Sequence, residues 1–114
     1  MSLAPGGVAR GVLLASVGFR VQPHKRDEML SAVDETLRRM RVAAGCARSR
    51  LLVDADDPNT FTIISEWQSV DTAQLFFSSR DFQVFKGMRI LLRDEPVIVF
   101  DEVRTRIVRL LRAP

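Results

Sequence analysis

Six apolar side chains fall close together in this chain and can line a binding pocket for a flat organic molecule. They are Trp67, Phe76, Phe77, Phe82, Phe85 and Met88. A lining of aromatic rings and a thioether excludes water, and water exclusion strengthens the electrostatic interactions that catalysis uses. Aromatic residues at helical spacing are also what an ordinary core contains. The cluster therefore fits either a pocket or a solid core.

Two arginines are the charged candidates to act on a molecule in such a pocket. Arg20 and Arg89 are permanently cationic, so they can orient an anionic oxygen but cannot take a proton from it. The single histidine, His24, follows Pro23 in a turn that we expect to face solvent, away from any pocket. A general base must reach the substrate proton, so we assign His24 no catalytic role.

Metal and cofactor chemistry have little support in the sequence. One histidine and one cysteine, without clustered carboxylates, make no complete zinc or iron shell, and glycine-rich phosphate loops are absent from the sequence. We therefore expect no metal and no cofactor. The lone Cys46 cannot form an intramolecular disulfide and is expected to be a small buried apolar residue and not a nucleophile. A reduced thiol is consistent with a cytoplasmic protein.

The composition indicates one soluble globular domain of 114 residues, with 46% hydrophobic and 27% charged residues. A formal charge of +3 and a pI near 10.0 permit contact with phosphate, but arginine alternates with Asp and Glu in most segments. No apolar run approaches the roughly 20 residues that cross a bilayer. We therefore expect neither a nucleic-acid partner nor a membrane partner.

Apolar periodicity predicts the first half of the fold. Odd positions from Leu13 to Val21 are apolar, which indicates a strand, and apolar residues every three to four positions indicate a helix over Lys25–Val42. Gly45 stands where a left-handed cap belongs. Two further alternating runs, Cys46–Asp54 and Thr60–Trp67, are separated by turn formers and predict a hairpin.

The second half continues with helices and a last strand. Ser69 is placed to cap a short helix through Ser78, and Ser79 to restart a helix that reaches Leu92. Pro96 ends it, and Val97–Val103 is apolar on both faces at its start, which is typical of a central strand. The order β-α-β-β-α-β predicts an α+β, ferredoxin-like fold with a four-stranded antiparallel sheet and both helices on one face.

Residues 11–103 form the predicted domain, after a flexible leader or cloning remnant at 1–10. The extension at 104–114 carries Arg104, Arg106, Arg109 and Arg112, interleaved with apolar residues, and we expect it to pack on a partner subunit. Apolar residues on both sides of strands one, three and four would leave a large surface exposed in a monomer. This predicts a homodimer.

The segment from Glu66-Trp67 at a strand end to Ser79-x-x-Phe82 at a helix start resembles the antibiotic-biosynthesis monooxygenase (ABM) family. The resemblance extends over most of the chain, from Leu14 to Val103. It implies a dimeric α/β barrel, in which two sheets pack face to face. It also implies a cofactor-independent monooxygenase that acts on a small aromatic, quinol-like or polyphenolic substrate. The alternative is a non-catalytic small-molecule-binding or regulatory dimer of the same fold, so whether the chain is an enzyme stays open.

The resemblance also assigns positions within the site. Trp67 is expected to line the cavity, and Ser16 and Gly18 lie where relatives place a polar residue of strand one. The candidate catalytic residues are therefore Arg89 and Ser16. Lys86 lies near the iron-ligating histidine of haem-degrading relatives but has no lone pair when protonated. Phe76 stands where active relatives often carry a polar residue, frequently histidine, and this weakens the inferred chemistry.

Overall fold

The computed structural model describes residues 12–103, which form an antiparallel sheet of four strands in the order β2-β3-β1-β4 with the helices on one face. The predicted leader at 1–10 and the extension at 104–114 lie outside the described residues. The elements are β1 (Val12–Arg20), α1 (Arg26–Arg41), β2 (Cys46–Val53), β3 (Thr60–Trp67), α2 (Val70–Phe77), α3 (Arg80–Gly87) and β4 (Val97–Val103), with 3₁₀ turns at Pro23–Lys25 and Arg89–Leu91. This is the predicted ferredoxin-like α+β fold.

Strict alternation gives the sheet two different faces. Odd-numbered residues of β1 and β3 are buried beneath the helices, whereas even-numbered residues of the same strands lie on the uncovered side. We call these sides the helix-facing side and the open side. Ala15, Val17 and Ile63 on the helix-facing side have no solvent exposure. A one-residue shift in register would exchange the two sides, so this pattern fixes the pairing of β1 with β3.

Local signals at the helix ends are mostly confirmed. Gly45 adopts φ 85°, the left-handed conformation expected after α1. A Cβ at Gly45 would also lie 2.5 Å from the Thr72 side chain, so the loop after α1 is in close contact with α2. Ser69 caps α2, because its hydroxyl accepts a hydrogen bond from the Thr72 amide. Ser79 starts α3 but does not cap it, since its hydroxyl donates to the Phe76 carbonyl at 2.6 Å.

Two predicted features are wrong. The last helix ends at Gly87 instead of reaching Leu92, because a glycine weakens the helix and the following 3₁₀ turn directs Leu91 and Leu92 into the core. Strand β4 lies at the edge of the sheet and not at its centre. Its apolar residues face two different surroundings, since Phe100 contacts Phe77 in the helix layer while Val99 pairs with Ser16 on the open side.

Candidate functional site

The structure brings the predicted aromatic residues together on the helix-facing side. We call Trp67, Phe76, Phe77, Phe82 and Phe85 the aromatic cluster; all five are buried. The Trp67 ring lies 5.5 Å from Phe76 and 5.9 Å from Phe77, centroid to centroid, and Phe77 meets Phe82 edge to face at 4.8 Å. Such spacings are those of ring pairs in direct contact. The cluster is therefore a close-packed core with a single indole at one end.

Two buried serine hydroxyls accompany this indole, and neither was singled out from the sequence. The Trp67 Nε1 donates a hydrogen bond of 2.8 Å to the Ser65 hydroxyl, which is 1% exposed. Ser49 is the partner of Ser65 across the β2–β3 pair, and its buried hydroxyl has no hydrogen-bond partner within the described part of the chain. Strand alternation would have placed Ser65 on the same side of β3 as Trp67, whereas Ser49 is brought there by the pairing of β2 with β3. Their signal was missed because serine is common on exposed strand faces.

Ser16 and Arg20 lie on the other side of the sheet from the aromatic cluster. They are even-numbered residues of β1, so their side chains are on the open side. Arg20 donates a hydrogen bond of 3.1 Å from its Nε to Asp94, and both side chains are about half exposed. That contact is the main reason that the pKa of Arg20 is raised and the pKa of the Asp94 carboxyl is lowered. Neither residue is positioned to act on a ligand beside Trp67.

The remaining candidates stand at the margin of the helix layer. Arg89 lies in the exposed 3₁₀ turn after α3, where its guanidinium is 3.8 Å from the Glu95 carboxylate. Met88 is half-buried and packs against the core, whereas Lys86 is exposed at the end of α3. His24 is exposed in the turn before α1, as expected. The apolar candidates therefore share one site, and the charged candidates do not join it.

A large cavity of about 490 Å³ lies at one end of the open side. Gly18 provides part of its floor, because a Cβ built there would meet only the Val97 carbonyl oxygen at 4.0 Å. The Arg20–Asp94 ion pair forms part of its wall, and Thr60 and Thr62 contribute hydroxyls. This cavity and the aromatic cluster are on opposite sides of the sheet.

A smaller cleft of about 210 Å³ opens between the end of α1 and the α2–α3 junction. Its lining residues are Ala43, Ala44, Thr72, Leu75, Phe76, Ser79 and Asp81. Phe76 is the one residue that both lines this cleft and belongs to the aromatic cluster. The cleft therefore reaches the cluster from the protein surface.

Other ionisable groups do not extend the site. The Cys46 thiol is half-buried at the start of β2, and burial is the main cause of its raised pKa, so the thiol stays protonated near neutral pH. Among residues 12–103 no group of three or more His, Cys, Asp and Glu side chains is arranged to hold a metal ion. Within the same range, no helix is long and apolar enough to span a membrane.

Comparison with known proteins gives a consistent family. The sequence model described as antibiotic biosynthesis monooxygenase matches residues 13–87. A protein from Natronomonas pharaonis, provisionally named as a heme-binding protein, is 30% identical over 83 residues, which are 72% of this chain and 14% of that protein. The chain thus spans a small fraction of this relative.

Solved structures support the fold at low sequence identity. A conserved protein from Methanosarcina mazei superposes with a TM-score of 0.77 at 17% identity, over 82% of this chain and 93% of the other. A protein from Nitrosomonas europaea, provisionally named an antibiotic biosynthesis monooxygenase, gives a TM-score of 0.76 at 15% identity, over 82% and 90% of the two chains. At these identities the likeness establishes the fold alone.

Proposed function

The chain belongs to the antibiotic biosynthesis monooxygenase family, and from that premise we propose that it oxidises a small aromatic, quinol-like or polyphenolic molecule with molecular oxygen and without a cofactor. The reaction takes place between the sheet and the helices, at the Trp67 end of the aromatic cluster. One oxygen atom enters the substrate and the other leaves as water. The electrons come from the substrate itself after it has lost a proton.

The observation that carries this proposal is the buried hydroxyl pair beside the single indole. Ser65 accepts the Trp67 N–H, and the facing Ser49 hydroxyl has an unused hydrogen-bonding capacity that costs roughly 1–3 kcal/mol when unsatisfied. A phenolic oxygen that reaches Ser49 would remove that cost. A site lined only by carbon would offer no such means of orienting a ring.

The chain's own groups would bind and orient the substrate but not deprotonate it. The aromatic cluster excludes water and holds the ring against Trp67, while Ser49 and Ser65 hold an oxygen in place. None of these seven side chains is a base near neutral pH. The proton must therefore pass to water or to a group outside the cluster, and we expect the rate to follow the ionisation of the substrate itself.

Oxygen consumption with a panel of dihydroxyaromatics, without added flavin or metal, tests the proposal directly. Wild-type protein should accelerate oxidation of at least one member, and Ser49→Ala and Trp67→Phe should both lower the rate. Ser31→Ala is the matched control, because Ser31 is exposed on α1 and should leave the rate unchanged. Oxidation that is no faster than in buffer for every compound contradicts the proposal.

The alternative is a non-catalytic dimer that binds a small molecule. Phe76 favours it, because this buried ring stands where the resemblance expects a polar residue and contributes only carbon to the cluster. Phe76→His distinguishes the two functions. An imidazole at this position should create or raise oxidation of a dihydronaphthalene-type quinol, with a pH dependence near the unperturbed value of about 6.5.

The two functions are distinguished by comparing the oxidation rates of the wild type and of Phe76→His. If the wild type is inactive and Phe76→His is active, the chain is a binding protein that has lost its base. If the wild type already turns over at an ordinary enzymatic rate and Phe76→His does no better, a different group replaces that base and the weakened-site interpretation is wrong.

Haem has no place in this mechanism, because the donors of this chain do not fit it. The chain has no tyrosine, and His24 is exposed in the turn before α1. The Cys46 thiol is kept protonated by burial and contacts the Arg48 carbonyl. Haem iron is usually held by histidine, thiolate, methionine or tyrosinate. Of the methionines that the structure describes, Met29 and Met40 are fully buried in the core and Met88 is half-buried against it. The heme-binding description of the Natronomonas pharaonis relative is therefore not transferred.

We also propose that a second copy covers the open side of the sheet. Leu52, Val97 and Val99 are 40–62% exposed on that side, and Ile64 lies between the strands that carry them. A surface of this kind is unusual on an isolated soluble protein. Face-to-face packing of two such sheets would bury it and give the barrel that the resemblance implies, with the aromatic clusters outside the barrel.

A further inference from the structure

We propose that the cleft between the end of α1 and the α2–α3 junction is the entrance to the aromatic cluster, that Phe76 closes it, and that Asp81 selects uncharged, hydroxylated rings at its mouth. This inference rests on the proposed function for the identity of the substrate, but not for the existence of the entrance. Phe76 is 4% exposed, touches the Trp67 ring, and lines the cleft. Displacement of this one ring would join the cleft to the indole.

The two walls of the cleft differ in how firmly they are held. On the α1 side, Ala43 and Ala44 lead into Gly45, which touches Thr72 and whose carbonyl accepts a hydrogen bond from the Gln68 amide at 2.8 Å. Small side chains on a fixed loop leave room without closing it. On the other side, α2 and α3 are short helices of eight residues each, separated by Ser78 and Ser79.

Phe76 is in the last turn of α2, beside this break. The Ser79 amide and hydroxyl both donate to the Phe76 carbonyl, at 3.0 and 2.6 Å, so they fix its backbone, and rotation of the ring about its Cα–Cβ bond would break neither hydrogen bond. Rotation of one side chain requires less rearrangement than separation of the layers. Phe76 is therefore suited to act as a gate.

Asp81 is the one charged residue among those lining the cleft. Its carboxylate accepts a hydrogen bond of 3.1 Å from Arg39 of α1, and Arg39 is shared with Glu35. An ionised carboxylate accepts hydrogen bonds and donates none. It would therefore accept a hydrogen bond from a phenolic hydroxyl, and its ion pair with Arg39 keeps that guanidinium from attracting a substrate that carries its own carboxylate.

Trp67 fluorescence tests the entrance without reference to any substrate, because Trp67 is the only tryptophan. Acrylamide should quench the wild type weakly, and Phe76→Ala should raise the quenching constant several-fold. Phe85→Ala is the matched control, since it removes an equally buried ring of the cluster that does not line the cleft. Phe85→Ala should leave quenching close to wild type.

Two further variants keep the test decisive. Phe76→Leu retains most of the buried volume and should give a smaller rise in quenching if Phe76→Ala does not fold. Adding Ala44→Phe to either Phe76 variant should fill the cleft and return quenching toward the wild-type value. Equal quenching in the Phe76 and Phe85 variants, or no reversal by Ala44→Phe, would overturn the entrance whatever the oxygen assay shows.

The selectivity arm compares a dihydroxynaphthalene with its carboxylated analogue, with binding measured by Trp67 fluorescence. Wild type should bind the uncharged compound more tightly than the carboxylated one. Asp81→Asn should reduce the ratio of these two affinities several-fold. Asp56→Asn, in the β2–β3 turn, makes the same charge change away from the cleft and should leave the difference intact. An unchanged preference in Asp81→Asn overturns the role of Asp81. If the quenching pattern holds but neither compound binds or is oxidised, the entrance stands and the proposed function fails.

Discussion

The two sides of the sheet differ in how far their side chains are buried, although the same strands contribute to both. On the helix-facing side β1 and β3 contribute residues with almost no exposure, and every ring of the aromatic cluster touches another. On the open side the same strands carry half-exposed apolar residues, an ion pair and a surface cavity. The helix-facing side is thus buried among the described residues, whereas the open side carries apolar residues that the proposed second copy would cover. Stability should depend on the first side and assembly on the second.

Trp67→Ala should give the largest loss of stability, and it tests whether the helix-facing side is close-packed around this ring. We expect a loss of about 3–5 kcal/mol in the free energy of unfolding, because a fully packed ring leaves a cavity and a lone Ser65 hydroxyl. Leu52→Ala, on the open side, should cost a fraction of that. Urea unfolding followed by circular dichroism measures both. A cost near that of Leu52→Ala would mean that Trp67 already borders a void.

Val99→Arg tests the open side. Burying an unpaired charge between two sheets should cost about 3 kcal/mol or more, which weakens a dimer by at least about 100-fold. Sedimentation velocity at micromolar concentration should show a dimer for wild type and a monomer for Val99→Arg. Gln74→Arg adds the same charge on the exposed surface of α2 and should stay dimeric. A stable wild-type monomer under these conditions would refute the dimer and with it the barrel.

The two buried serines should respond differently although they face each other. Ser65→Ala leaves the Trp67 N–H without its acceptor and should cost roughly 1–3 kcal/mol. Ser49→Ala removes a hydroxyl with no partner among the described residues and should be nearly neutral or stabilising in the ligand-free protein. Thermal unfolding of both variants makes the comparison. Equal losses would show that Ser49 is satisfied, for example by a buried water, and would remove the main support for its role in binding.

The Arg20–Asp94 pair should give the smallest effect, because both side chains are about half exposed. The hydrogen bond from Arg20 lowers the pKa of the Asp94 carboxyl, so its stabilising contribution is present above the ordinary carboxyl pKa of about 3.9. That contribution is lost as pH falls through the lowered pKa. The urea midpoints of wild type and Asp94→Asn should therefore differ slightly at neutral pH and converge in acid. A difference between the two urea midpoints that grows as the pH falls would contradict this dependence of stability on the Asp94 pKa.

Sequence periodicity predicted most of the fold, because buried residues recur at every second position of a strand and at every third or fourth position of a helix. The odd-numbered apolar residues of β1, the left-handed Gly45 and the Ser69 cap were all predictable, since each rests on local chemistry. The position of β4 in the sheet was not predictable in this way. Apolar residues on both faces occur in any strand with two covered sides, so they do not distinguish an edge strand from a central one. The identity of its neighbours depends on contacts distant in sequence.

The candidate site was predictable only in part for the same reason. The aromatic residues were expected to gather, and they do so because helical spacing directs them to one layer. Ser16 was selected because the resemblance implies a polar residue at that place in the first strand, yet strand alternation places it on the open side, away from Trp67. Ser49 and Ser65 gave no signal of their own. Their meaning arises from the pairing of β2 with β3, which brings two hydroxyls to one indole.

The strand order has a consequence for how the protein acquires its structure. Only β2 and β3 are joined as a hairpin, whereas β1 must pair with β3 and with β4, so that Val12 meets Val103 from the opposite end of the described chain. Long sequence separation slows folding, because loop closure costs entropy before any contact forms. Until β4 arrives, one edge of β1 is unpaired, and open strand edges are sites of intermolecular pairing. During synthesis, aggregation would therefore compete with the last step of sheet assembly rather than with hairpin formation.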